Sequence, residues 1–116
     1  MFKASVIQLN SQDDVRGNLK VVTQLVAEAA IAESQIVLLP ENFAFMGGKD
    51  TDKLQVAETS GSGLIQESIA SLAQKHKIWI LAGTIPIKST LVKSTAEHKV
   101  YAASMLYDST GAMVCR

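Results

Sequence analysis

The sequence is poor in cysteine, proline and aromatic residues, and it contains no long apolar run. Its one thiol, at Cys115, cannot form an internal disulfide or a cysteine-rich zinc site. A lone thiol fits a reducing compartment, so we expect a cytoplasmic protein. The sequence lacks the roughly 20 consecutive apolar residues of a membrane span and the basic and apolar segments of a signal peptide. We therefore predict a protein without a membrane partner.

The net charge of the chain is zero, because 11 Lys and Arg residues balance 11 Asp and Glu residues. A balanced chain has no general electrostatic attraction for nucleic acid, so we predict no nucleic-acid partner. The hydrophobic fraction of 47% is ordinary for a globular protein. Because 116 residues suit a single domain, we predict one domain over residues 1–116.

Apolar runs and helical periodicity alternate along the first two thirds of the chain. Strands are predicted over Phe2 to Leu9, Gln35 to Leu39 and Ile78 to Ala82, the last closed by Gly83-Thr84. Between them, apolar residues recur every three or four positions, which predicts helices over Val15 to Ser34 and Leu64 to Lys77. Strand, helix and strand with short joints form βαβ units, so the sequence predicts an α/β fold with parallel strands.

The tail of the chain follows a different pattern. Val100 to Tyr107 and Ala112 to Arg116 are predicted as strands joined by a tight turn, while Gly47 to Gly63 and Lys88 to His98 are predicted as loops. The chain ends within the last predicted strand, which would leave an unpaired edge. We therefore expect a truncated domain.

One carboxylate is placed where α/β sheets bind ligands, at the carboxyl end of a strand. Glu41 follows Pro40 there, beside Phe43 and Phe45. Partial desolvation by these rings would raise the pKa of the carboxyl toward the range useful for proton transfer. The functional interpretation is a general base, and the alternative is an ordinary surface glutamate.

The other candidate residues are weaker. Ser62, between two glycines before a helix, is predicted to cap that helix, although the same segment could cradle an anion. His76 and His98 have no partners at metal-ligand spacing, so we predict no metal and no cofactor. Cys115 has no nearby base in sequence and is predicted, like Trp79, to be buried.

Four elements, in order, resemble the nitrilase superfamily of carbon–nitrogen hydrolases. They are Ala4 to Asn10, similar to the opening strand; Leu38 to Phe43, similar to the LPExF signature; Trp79 to Pro86, similar to a Gly-(Gly/Thr)-x-Pro element; and Leu106 to Gly111, similar to the hairpin before the catalytic lysine. The segment Pro40 to Gly47 is most similar to bacterial Nit-type amidases.

The resemblance implies the N-terminal portion of a four-layer αββα sandwich and a Glu-Lys-Cys triad, with Glu41 as general base. It also implies a small amide substrate, such as an ω-amide or deaminated glutathione, and a homo-oligomer. The family lysine follows the hairpin and the cysteine lies further on, so Cys115 does not match the nucleophile. Tyr101-Ala102 departs from the Tyr-Asn pair of many relatives.

The sequence leaves three hypotheses open. The first is an amidase whose lysine and cysteine lie outside these 116 residues, so that the chain alone is inactive. The second is a noncatalytic α/β assembly or binding module. The third is a nucleotide-binding domain, which the βαβ pattern allows but which lacks a phosphate-binding glycine motif.

Overall fold

The computed structural model describes residues 2–89 and 99–116, which form a single five-stranded sheet with its strands side by side in chain order. The strands are β1 (Ala4–Val6), β2 (Ile36–Leu38), β3 (Trp79–Lys88), β4 (Val100–Tyr107) and β5 (Met113–Cys115). The helices are α1 (Val15–Ile31), α2 (Lys53–Val56) and α3 (Leu64–His76), with a 3-10 turn at Asp50–Asp52 before α2. Within these residues, no helix combines the length and apolar character that a membrane span requires.

The predicted α/β arrangement is confirmed. β1, β2 and β3 are parallel, and β3, β4 and β5 are antiparallel, as the βαβ pattern and the terminal hairpin indicated. The predicted end of the third strand at Gly83-Thr84 is wrong, because β3 passes through a bulge between Ala82 and Ile85 and continues its pairing with β4. The predicted loop over Gly47 to Gly63 also contains α2. Of the predicted loop after β3, residues 90–98, including His98, lie outside the described residues.

One face of the sheet carries the hydrophobic core. Val37, Ile80 and Tyr107 are partners across three strands and are all buried. Val22 of α1 and Ile69 of α3 are fully buried in the same cluster. Both helices therefore cover this face of the sheet.

In the part of the chain that the structure describes, α1 and α3 leave the opposite face uncovered, and its central residues are apolar. Because side chains alternate along a strand, the residues next to the buried row point to this face. Trp79 lies on it and is 39% exposed, so the prediction that Trp79 is buried is wrong. The same holds for Cys115, which is exposed. The uncovered row consists of register partners from all five strands: Val6, Leu38, Leu81, Leu106 and Cys115.

The turn between β4 and β5 is closed by Asp108. Its carboxylate accepts hydrogen bonds from the backbone N–H of Thr110 at 2.8 Å, the hydroxyl of Thr110 at 2.6 Å and the N–H of Ala112 at 3.1 Å. These bonds, the hydroxyl of Thr110 first, hold the pKa of the Asp108 carboxyl below its ordinary value of 3.8.

We expect Asp108→Asn to weaken the hairpin in a pH-dependent way. A carboxyl with a lowered folded-state pKa stabilises the protein above its ordinary pKa, and this contribution disappears as the pH falls through the folded value. The difference in urea midpoint between wild type and variant should therefore be largest near neutral pH and vanish in strong acid. Asp13→Asn is the control, since Asp13 is exposed and its carboxylate makes no hydrogen bond with the described residues. A difference that does not change with pH would contradict the role of the charge.

Candidate functional site

Glu41 lies at the carboxyl end of the parallel strands, as predicted. Two residues separate it from the end of β2, and the N–H of Leu39 still donates to the carbonyl oxygen of Leu81 at 2.9 Å. The Glu41 side chain is exposed and makes no hydrogen bond with a residue in the described part of the chain. The expected desolvation by Phe43 and Phe45 is not seen, because both rings are buried in the interior and leave the carboxylate open.

The loop that carries Glu41 is held on one side by a buried asparagine of α1. Nδ2 of Asn18 donates to the carbonyl oxygens of Gln12 and Ala44, each at 2.8 Å, and Oδ1 accepts from the N–H of Gln12 at 2.9 Å. Asn18 is 6% exposed, so these bonds form away from competing water. No role in the site was predicted for Asn18 from the sequence, although an amide on the apolar face of a helix, next to Leu19, is a signal of such a role.

A second restraint comes from β3. The N–H of Asn42 donates to Oγ1 of Thr84 at 2.8 Å, and Asn42 has a positive φ of 56°. Asparagine tolerates this left-handed conformation better than most residues. On the other side, the hydroxyl of Ser11 donates to the carbonyl oxygen of Phe43 at 3.0 Å. The backbone on both sides of Asn42 is thus tied to other elements.

The backbone of β3 also lies very close to Pro40, the residue before Glu41. A Cβ atom on Gly83 would overlap the carbonyl group of Pro40 and the carbonyl oxygen of Leu39. Only glycine allows this approach. The glycine in the Gly83-Thr84 pair therefore sets the distance between β3 and the Glu41 loop.

We expect Thr84→Val to lower the free energy of unfolding by about 1–2 kcal/mol, because the N–H of Asn42 loses its acceptor while the shape is kept. Thr84→Ser retains the hydroxyl and should recover most of the loss. Urea unfolding of both variants measures the difference. Equal stability of the valine and serine variants would show that this hydrogen bond does not hold the loop.

The N-terminus of α3 binds an anionic group of the protein itself, the carboxylate of Glu58. Oε2 of Glu58 accepts the N–H of Ile65 at 2.6 Å, and Oε1 accepts the N–H of Gln66 at 3.1 Å. The N-cap residue is Gly63, which has no side chain to bond, so the prediction that Ser62 caps the helix is wrong. The carboxylate of Glu58 neutralises the helix N-terminus in its place.

Tyr107 is excluded as a proton-transfer group near neutral pH. Burial, and after it the charge of Glu58, raise the pKa of its phenol to about 12. Its hydroxyl is directed at the sulfur of Met105, at 3.5 Å. The phenol therefore stays protonated in the core.

Cys115 does not lie within reach of Glu41. It is the register partner of Leu106 on β4, which pairs with Leu81 on β3 and through it with Leu38 on β2. Three interstrand spacings separate Cys115 from β2, which is about 14 Å. Direct proton transfer needs hydrogen-bond distance, so Glu41 cannot take the proton of the Cys115 thiol in this fold. The described residues also contain no group of three or more potential metal ligands.

Comparisons with known proteins agree with this arrangement. The family model described as "Carbon-nitrogen hydrolase" matches residues 3–116. A deaminated glutathione amidase of Synechocystis is 33% identical over 85 residues, which cover 73% of this chain and 30% of that protein. The crystal structure of the Caenorhabditis elegans NitFhit protein has a TM-score of 0.80 at 24% identity, over 97% of this chain and 27% of that one.

A further solved structure has the same fold. Nit3 of Saccharomyces cerevisiae, a member of branch 10 of the nitrilase superfamily, has a TM-score of 0.81 at 22% identity, over 98% of this chain and 42% of that one. The chain thus spans about a third of the length of the curated relatives it matches. With the family model matching nearly every residue, the chain belongs to the carbon–nitrogen hydrolase family.

Proposed function

We propose that the protein hydrolyses a non-peptide carbon–nitrogen bond, with Glu41 as general base. The observation that carries the proposal is the position of Glu41. It follows a buried parallel strand at the edge where such sheets bind ligands, on a loop restrained from α1 and from β3. A carboxylate on a restrained loop that is open to a substrate can come within hydrogen-bond reach of the proton it abstracts, as a general base must.

The chemistry proceeds through a cysteine thioester. Glu41 takes the proton of the cysteine thiol, and the sulfur attacks the amide carbon. A lysine stabilises the oxyanion that forms, and the protonated Glu41 gives its proton to the departing amine or ammonia, which leaves the acyl thioester. Glu41, ionised again, then takes a proton from water as the water oxygen attacks the thioester carbon. The carbon–sulfur bond breaks, and Glu41 returns the proton to the cysteine sulfur. We propose that the lysine and the cysteine lie in further sequence of the protein, so that residues 1–116 form the N-terminal part of one domain and are inactive alone.

An ω-amide or deaminated glutathione is the substrate class we propose. The support is that relatives from Synechocystis and Yersinia enterocolitica bear the name deaminated glutathione amidase. We also propose a cytoplasmic location, on the basis of the single thiol, and a homo-oligomeric state.

An ammonia-release assay on small amides tests the proposed activity. The full-length protein that carries these residues should release ammonia, and iodoacetamide should stop the release by alkylating the nucleophile. The 116-residue chain, with its intact mass checked, should release none. Ammonia release that survives complete alkylation would exclude the thioester mechanism.

The second candidate is a noncatalytic assembly module, and the uncovered apolar row from Val6 to Cys115 favours it. A face of this kind needs a covering layer, which another copy of the chain could supply. Sedimentation of the chain at increasing concentration tests this function. A stable assembly together with a full-length protein inactive on all amides would support the module over the hydrolase.

A further inference from the structure

A groove begins beside Glu41 and runs along the start of β4. Asn42, which follows Glu41, and its hydrogen-bond partner Thr84 line one part of it. Tyr101 of β4 and Leu54 of α2 line the rest. Its volume is about 250 Å³. This is close to the lower limit of small-molecule sites, roughly 300 Å³.

Among the described residues, the one charged side chain that lines this groove is a cation, and none that lines it is acidic. Lys53, at the start of α2, is half-buried at the wall of the groove. The ammonium group of Lys53 makes no ion pair or hydrogen bond with the described residues. A half-buried ammonium without a partner favours an anionic ligand, because a carboxylate replaces the water it has lost.

The two acidic residues closest in sequence to the ends of α2 among those with described side chains, Asp52 and Glu58, bind backbone N–H groups. Oδ2 of Asp52 accepts the N–H of Lys49 at 3.0 Å, and the carboxylate of Glu58 is bound to the first turn of α3. Neither carboxylate forms an ion pair with Lys53.

The other residues that line the groove indicate the chemical class of its ligand. Phe45, Leu54, Pro86 and Val100 supply apolar surface, and Thr51 and Tyr101 add hydroxyl groups. Apolar walls suit a short hydrocarbon stem, and the lysine suits a carboxylate at the end of that stem.

We propose that this groove binds the acyl part of the substrate and that Lys53 selects an acyl group ending in a carboxylate. The proposal rests on the proposed function, because it places the scissile amide beside Glu41. It adds the residue that distinguishes an anionic acyl amide from a neutral one.

The test compares two amides on the full-length protein: glutaramate, and 5-methylhexanamide, in which an isopropyl group replaces the carboxylate. Lys53→Met should raise KM for glutaramate about tenfold or more and change KM for the neutral amide less than twofold. Lys53→Glu should weaken glutaramate further, through repulsion. Lys49→Met removes a lysine of the same segment that does not line the groove, and it should change neither KM.

Binding of glutarate, measured by calorimetry, separates the two proposals. If neither amide is hydrolysed but glutarate binds to wild type and not to Lys53→Met, the hydrolase function fails and the groove assignment stands. If amides are hydrolysed but Lys53→Met affects both equally or neither, the function stands and the assignment is overturned. Absence of glutarate binding to wild type also overturns the assignment.

Discussion

Glu41→Gln in the full-length protein is expected to reduce kcat/KM for amide hydrolysis by about 100-fold or more. Glutamine keeps the shape of the side chain but cannot accept the proton of the thiol or of the attacking water. Because Glu41 is exposed and makes no hydrogen bond with the described residues, the substitution should leave the unfolding midpoint unchanged. Rate and stability measured on the same sample therefore separate a chemical role from a structural one.

Glu28→Gln is the matched control, since Glu28 is an exposed glutamate on the outer side of α1. It should change neither the rate nor the unfolding midpoint. Retained activity in Glu41→Gln would mean that another group is the base. A loss of activity with an equal loss of stability would point to misfolding.

Gly83→Ala is expected to cause the largest loss of stability, more than about 3 kcal/mol. The added methyl group would overlap backbone atoms of Pro40 and Leu39, which cannot move aside as a side chain can. Either β3 separates from β2 or the loop before Glu41 shifts. In both cases the full-length enzyme should lose activity together with stability.

Gly48→Ala provides the control within the same region. A Cβ atom on Gly48 meets nothing within 4 Å, so this substitution should change the unfolding free energy by less than about 0.5 kcal/mol. Urea unfolding of both variants checks the comparison. A Gly83→Ala protein as stable as the Gly48 variant would show that the close approach of β3 and Pro40 does not constrain the loop.

The order of elements could be predicted from the sequence because it depends on local periodicity. The helical repeat of α1 and α3 and the short β-branched strands each leave a pattern within a few residues. The parallel and antiparallel pairing follows from the connections between them. Glu41 was likewise predictable in position, since it lies just beyond the end of an apolar strand.

The environment of Glu41 could not be predicted in the same way. Asn18 and Thr84 restrain the loop through hydrogen bonds to its backbone atoms. Because nearly every residue has the same backbone N–H and carbonyl groups, the sequence of the loop does not indicate which of them will be bound. The burial of Trp79 and Cys115 was predicted wrongly for a different reason. An apolar side chain in a strand indicates that a face can be covered, but not which face the helices of this chain cover.

The restraints on the Glu41 loop also fix the order in which the site can form. Asn18 and Ala44 are separated by 26 positions, and Asn42 and Thr84 by 42. Contacts between distant positions form late, because the intervening chain must first lose its freedom. During synthesis, Glu41 leaves the ribosome well before Thr84. The carboxylate is therefore among the early residues of the chain to be made, and the restraint from Thr84 can form only after β3 has been made.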